Sequence, residues 1–101
     1  MIIYVDNQSR PALQDASNFR AFKLVAASRQ ALAPLKGSGG GVQVADDDVA
    51  WIAQDWIVTQ AGQAATAEWR GGFDKMIAFA ASKGWIRPSD NAVRAHIEYA
   101  G

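Results

Sequence analysis

The clearest alternation of apolar and polar positions runs from Val93 to Tyr99. A period of two is that of a β-strand with one buried face and one wetter face. The pattern therefore predicts a strand over residues 93–99 that covers a core with every second side chain. The apolar positions of this strand are Val93, Ala95, Ile97 and Tyr99. Its polar positions are Arg94, His96 and Glu98.

A second strong pattern, with the period of a helix, lies between Thr66 and Lys83. Apolar residues recur there at the three- and four-residue spacing of one helix face, namely Trp69, Phe73, Met76, Ile77, Ala80 and Ala81. Gly84 follows where helices commonly end in a glycine. Gly71 and Gly72 interrupt the pattern, since each costs about 1 kcal/mol relative to alanine inside a helix. They predict either a break near the helix start or the close approach of another backbone.

Shorter patterns predict three further elements. Ile2–Val5 is β-branched and aromatic and is expected to form a first strand. Residues 42–44 and 49–52 flank an acidic turn, which is typical of a β-hairpin. Residues 54–61 are expected to form a short helix.

The segment between the first strand and the hairpin is less clear. Residues 7–17 are polar and predict a loop, with room for one helical turn at 12–15. Residues 19–26 fit either a strand or the start of a helix. We favour a strand over 19–25, then a short helix from Ser28 that Pro34 limits. The glycine-rich residues 36–41 predict a flexible loop.

Together these elements predict a small α+β domain. We expect an antiparallel sheet of four or five strands, with two or three helices packed mainly on one face. The strand over 93–99 follows two helices, so it should insert beside an earlier strand. A chain of 101 residues is expected to form a single domain over 1–101.

Charge and composition exclude several classes of function. Ten Lys and Arg balance ten Asp and Glu, and the cations form no run, so a nucleic-acid-binding role is disfavoured. Without cysteine, no disulfide, thiolate nucleophile or cysteine zinc site is available. No apolar run is long enough for a signal peptide or a bilayer span. We expect a cytoplasmic protein without membrane contact, and the abundance of alanine suggests a bacterial origin.

Arg94, His96 and Glu98 are the candidate catalytic residues. Side chains two positions apart on a strand face stand about 7 Å apart, so long ones can meet. His96 would act as a general base, Glu98 would orient it, and Arg94 would hold an anion. The alternative is a solvated strand face with opposite charges at favourable spacing. That alternative also explains the alternation.

Two other motifs favour structural roles. The acidic run Asp46–Asp48 lacks the spacing of a calcium loop and is typical of a turn. Gly37–Gly41 is not followed by a helix, as a phosphate-binding loop would be. The sequence therefore predicts neither a metal site nor a cofactor.

The chain has four tryptophans. Trp69 and Trp85 are expected in the core, the latter beside a helix end. Trp51 and Trp56 could instead line a pocket for a ligand or lie in a dimer interface.

Two hypotheses about function follow. The first is a non-enzymatic module that forms a homodimer or binds a protein partner. The chain has more aromatic residues than its motifs account for, and dimers are the commonest assembly of such domains. The second is a small-molecule binder or enzyme centred on His96, with Arg94 and Glu98 assisting and Trp51 or Trp56 as a wall. It requires another part of the protein to cover the polar face of the strand and so form a pocket. Whether there is catalysis is left open.

Overall fold

The computed structural model describes residues 1–37 and 40–100. The described residues form six strands and three α-helices. The strands are β1 (Ile2–Val5), β2 (Pro11–Gln14), β3 (Lys23–Ala26), β4 (Val42–Val44), β5 (Val49–Ile52) and β6 (Val93–Tyr99). The helices are α1 (Arg29–Leu32), α2 (Gln54–Ala61) and α3 (Ala67–Ser82), with 3₁₀ turns at Ala33–Leu35 and Gly62–Ala64.

The strands of this described part join in one sheet, in the order β2-β1-β3-β6-β5-β4. β3 lies parallel to both β1 and β6, and the other neighbouring pairs are antiparallel. The α+β class is confirmed, and so is the insertion of β6 beside earlier strands. The expected antiparallel sheet of four or five strands is corrected to a mixed sheet of six.

The register places the buried side chains of the strands on one face of the sheet. Leu24 of β3 lies opposite Ile97 of β6, and Ala50 of β5 lies opposite Ala95, and all four are buried. Residues of all three helices join the same hydrophobic cluster. The core therefore lies between this face and the helices, and the polar residues of β6 lie on the opposite face.

Residues 11–14 form a strand where the sequence predicted a loop with a possible helical turn at 12–15. β2 pairs with β1 from Val5↔Pro11 to Ile2↔Gln14 and is an edge strand. Proline is tolerated at the first residue of such a strand, so Pro11 does not prevent the pairing.

The ambiguous segment forms a strand over part of its length. β3 begins only at Lys23, and residues 19–22 leave the sheet. The short helix from Ser28 is confirmed, because the Ser28 hydroxyl accepts a hydrogen bond from the backbone N–H of Ala31 at 3.3 Å. Pro34 lies in the 3₁₀ turn that ends α1. The predicted loop at 36–41 includes residues 38 and 39, which are outside the described residues.

α3 follows the prediction closely. The Thr66 hydroxyl caps it by accepting a hydrogen bond from the N–H of Trp69 at 3.2 Å. The helix continues through Gly71 and Gly72 without a break. After its last turn Gly84 has a φ of +78°, a conformation that favours glycine.

None of the helices in the described part of the chain has the length and apolar character needed to cross a membrane.

Candidate functional site

β6 has two different neighbours along one of its edges. β5 occupies the other edge, from Val49↔His96 to Ile52↔Val93. On the first edge β3 pairs with the second half of β6, starting at Lys23↔His96. The first half pairs there with the chain that leaves α3, because the N–H of Arg94 donates to the carbonyl of Trp85 at 2.8 Å. Between Arg94 and His96, the neighbour of β6 on this edge therefore changes from the segment at Trp85 to β3.

A cleft of about 440 Å³ lies at this junction. Its walls come from residues 19–22, from the second half of α3 with Trp85, and from β5 and β6. The large apolar residues that line it are Phe19, Phe22, Met76, Phe79 and Trp85. The charged or titratable residues that line it are Arg20, Asp48, Arg94 and His96.

The wall formed by residues 19–22 is held against α3 by aromatic packing. A Cβ atom added at Gly72 would lie 2.4 Å from Cε2 of Phe19, so the ring occupies the space that a side chain would need. The ring centroids of Phe19 and Trp69 are 5.9 Å apart. The Trp69 indole donates a hydrogen bond to the carbonyl of Ala16 at 2.9 Å. The expected approach of another backbone is therefore not found: the Phe19 side chain lies close to Gly72, and no described neighbour lies within 4 Å of a Cβ added at Gly71.

The end of α3 and the residue Trp85 after it bring two exposed aromatic rings to the cleft. Phe79 is 58% exposed and Trp85 is 38% exposed, and their rings meet edge to face with centroids 6.0 Å apart. The expectation that Trp85 lies in the core is therefore wrong, whereas Trp69 is buried as expected. Trp85 follows the helix end, but it packs on the exposed ring of Phe79 instead of on the core.

Two arginines of the cleft have no acidic partner. Neither the Arg20 nor the Arg94 guanidinium makes an ion pair or a side-chain hydrogen bond with any described residue. Asp48 is the acidic residue among those that line the cleft. The lining therefore includes two permanently charged cations, one carboxylate and one imidazole.

The structure brings Arg94 and His96 to the cleft and directs Glu98 elsewhere. The Glu98 carboxylate lies 2.7 Å from the ammonium of Lys23, the residue opposite His96 in β3. Within the described chain the His96 ring makes no hydrogen bond that would orient it. Of the three candidates, Arg94 and His96 thus share a cleft, and Glu98 forms a separate surface ion pair.

The Lys23–Glu98 pair gives a pH-dependent prediction. The hydrogen bond and the charge of Lys23 hold the pKa of Glu98 below its ordinary value, with a smaller contribution from the charge of His96. A depressed pKa means that the pair stabilises the fold above the ordinary pKa of a glutamate. This contribution is lost as pH falls through the lowered value. It is small, because exposed pairs contribute little.

We expect Lys23→Met to raise the pKa of Glu98 toward its ordinary value in an NMR titration of the side-chain carboxyl. Lys75→Met is the control, because Lys75 is exposed on α3 and has no ion pair in the described structure. An unchanged Glu98 titration in Lys23→Met would show that the pair does not persist in solution.

Trp51 and Trp56 lie outside the lining of the cleft. The guanidinium of Arg87 lies over the Trp51 ring, 5.2 Å from its centroid. Trp56 packs against Gly41, where an added Cβ would be 2.4 Å from Cδ1 of the indole. Both rings therefore have contacts of their own within the fold.

The acidic run acts as a turn. One carboxylate oxygen of Asp46 accepts hydrogen bonds from the N–H groups of Asp48 and Val49, at 2.7 and 3.0 Å. Asp47 lies 3.3 Å from Arg29 and 3.5 Å from Lys36. The described residues contain no group of three His, Cys, Asp or Glu that could hold a metal ion.

Sequence reasoning missed most of the cleft. The sequence pattern assigns Phe19, Arg20 and Phe22 to a strand or a helix and Met76 to the apolar stripe of a helix, and it does not single out Phe79. The useful signal was Gly71–Gly72, which pointed to a close approach on α3 but did not identify the partner.

No protein-family model matches the chain, and searches of curated proteins and of solved structures found no similar protein.

Proposed function

We propose that the protein is a non-enzymatic binding protein that takes up a small amphipathic anion, a carboxylate attached to an apolar body, in the cleft beside β6. The observation that carries this proposal is that five large apolar residues and two arginines without an acidic partner, Arg20 and Arg94, line one cleft.

The size and lining of the cleft support a small ligand. Ligand sites commonly measure about 300–1,000 Å³ and combine apolar walls with a few polar groups, and this cleft of about 440 Å³ falls within that range. Its exposed aromatic surface, chiefly Phe79 and Trp85, gains about 25 cal/mol for each Å² that a ligand covers.

The charge of the cleft supports an anion. A guanidinium binds a carboxylate through two parallel hydrogen bonds, and the guanidinium groups of Arg20 and Arg94 have no competing carboxylate bonded to them. Asp48 adds one negative charge, which leaves the lining positive.

Binding is favoured over catalysis because the candidate acid–base group is not assembled. The Glu98 carboxylate is bonded to Lys23 instead of to His96, so nothing in the described structure fixes the orientation of the imidazole. A bound ligand should accordingly be recovered unchanged.

A homodimer is a second candidate, and the exposed pair of Phe79 and Trp85 favours it. Exposed aromatic residues are enriched in interfaces between proteins. Light scattering distinguishes the two. A mass of one chain, 10.8 kDa, that persists at high concentration would contradict the dimer and leave the ligand proposal intact.

The proposal is tested with 3-phenylpropionate as the probe and its neutral amide, 3-phenylpropanamide, as the reference. We expect the carboxylate to shift the NMR signals of Arg94, His96 and Trp85 and the amide to bind at least tenfold more weakly. Arg94→Ala should weaken carboxylate binding about tenfold, since a hydrogen bond to a charged group contributes about 1.5–3 kcal/mol.

Arg10→Ala is the matched control. Arg10 is an exposed arginine between β1 and β2 whose side chain has no described partner and is not in the cleft. Equal binding of acid and amide, or equal losses in the two arginine variants, would contradict the proposal.

A further inference from the structure

The geometry points to an aromatic carboxylate as the ligand, with its ring packed against the exposed Phe79–Trp85 pair at the Ala80 end of the cleft. This inference rests on the proposed function and specifies its ligand class.

One face of α3 already accepts an aromatic ring. Gly72, Met76 and Ala80 are spaced four residues apart and share a side of the helix. The ring of Phe19 lies directly on Gly72, at the end of this row. The helix surface receives a flat ring there because the residue beneath it has no side chain.

Ala80 lies at the other end of the same row, where it is 5% exposed and borders the cleft. It lies about 12 Å farther along the helix axis at 1.5 Å per residue, and it lines the cleft with a side chain of one carbon. Met76 lies between the two positions and also lines the cleft. Thioethers favour contact with the edge of an aromatic ring.

The surrounding side chains favour a ring over an aliphatic chain. Phe79 and Trp85 are already arranged edge to face, with centroids 6.0 Å apart, and Phe22 lines the cleft as well. An aromatic ligand adds ring–ring contacts in offset or edge-on geometry, which a saturated group of the same size lacks. Such contacts increase affinity roughly twofold to tenfold beyond the burial of area.

The experiment compares 3-phenylpropionate with 3-cyclohexylpropionate, which has the same number of carbons and the same carboxylate but a saturated ring. We expect calorimetry to give at least threefold tighter binding of the phenyl compound, although the cyclohexyl compound is the more hydrophobic. Equal or tighter binding of the cyclohexyl compound would overturn the inference and leave the proposed function standing. Binding of neither compound would contradict both.

Two variants locate the ring. Ala80→Leu places a larger side chain at this end of the cleft and should weaken 3-phenylpropionate binding at least tenfold. Ala78→Leu, at an exposed residue of α3 outside the cleft, should leave binding unchanged. Unchanged binding in a folded Ala80→Leu variant would place the ring elsewhere.

Because Ala80 is buried, Ala80→Leu could fail to fold, so a second variant provides an independent test. Trp85→Leu keeps an apolar side chain at a partly exposed position and removes the aromatic face. The preference for phenyl over cyclohexyl should then fall, and an unchanged preference in this variant would overturn the inference.

Discussion

Replacing Phe73 by alanine is expected to lower the free energy of unfolding by about 3–5 kcal/mol. Phe73 is fully buried in α3, and its ring stacks on Trp69 with centroids 5.0 Å apart and ring planes at 9°. Truncation removes this apolar area and leaves a cavity that the sheet and helix close only in part. Small domains have a total stability of about 5–15 kcal/mol, so the variant loses a large share of it.

Phe79→Ala is the matched comparison, because it is the same substitution in the same helix at a side chain that is 58% exposed. Its cost should remain below about 1 kcal/mol. Urea unfolding monitored by tryptophan fluorescence gives both values. Similar losses in the two variants would mean that α3 does not pack on the sheet through Phe73.

Gly72→Ala and Gly71→Ala are expected to change stability in opposite directions, by values that differ by about 2 kcal/mol. Either change gains up to about 1 kcal/mol of helix propensity. At Gly71 nothing lies within 4 Å of the added Cβ, so Gly71→Ala should stabilise the fold. At Gly72 the new Cβ meets the ring of Phe19 at 2.4 Å. Overpacking of this kind costs about 1–3 kcal/mol, so the net effect is destabilising.

The two glycine substitutions are compared by urea unfolding, first in the natural chain and then with Phe19→Ala. Removal of the ring should make Gly72→Ala as stabilising as Gly71→Ala, because the new Cβ no longer meets the ring of Phe19. Gly72→Ala alone should also alter ligand binding, since Phe19 is a wall of the cleft. If Gly72→Ala still lowered stability in the Phe19→Ala background, the loss would come from the backbone at Gly72 and not from contact with the ring.

The elements that the sequence predicted well are those whose pattern repeats several times. The buried and exposed positions of β6 alternate as predicted from Val93 through Glu98, and α3 begins directly after its capping Thr66. Ala81 is an exception, because it is exposed although the helical pattern placed it on the buried face. An apolar stripe identifies a helix more precisely than it identifies which residues lie at the edge of the buried face.

β2 was missed for a physical reason. Its four residues include Pro11, and none of them is buried, so local propensity gives little sign of a strand. Its structure depends on pairing with β1. The parallel pairings of β3 could not be predicted from the sequence either, because the apolar pattern of a short strand is the same whichever way its neighbour runs.

The cleft combines segments that are far apart in the chain. His96 and Arg94 were identified because they stand on a regular strand, and they do reach the cleft. Arg20 and Phe22 gave no such signal, since they lie just outside β3. Periodicity assigns a residue to a face of its own element, whereas a site requires knowledge of which elements are neighbours.

The central place of β6 in the sheet has a consequence for the order of folding. The hairpins β1–β2 and β4–β5 close over a few residues, but the halves β2-β1-β3 and β5-β4 are joined through β6 alone among the described strands. Its pairing with β3 joins Lys23 to His96 across most of the chain, and such distant contacts slow folding. We therefore expect the two halves to form early as separate local structures and the core to close when β6 docks between them.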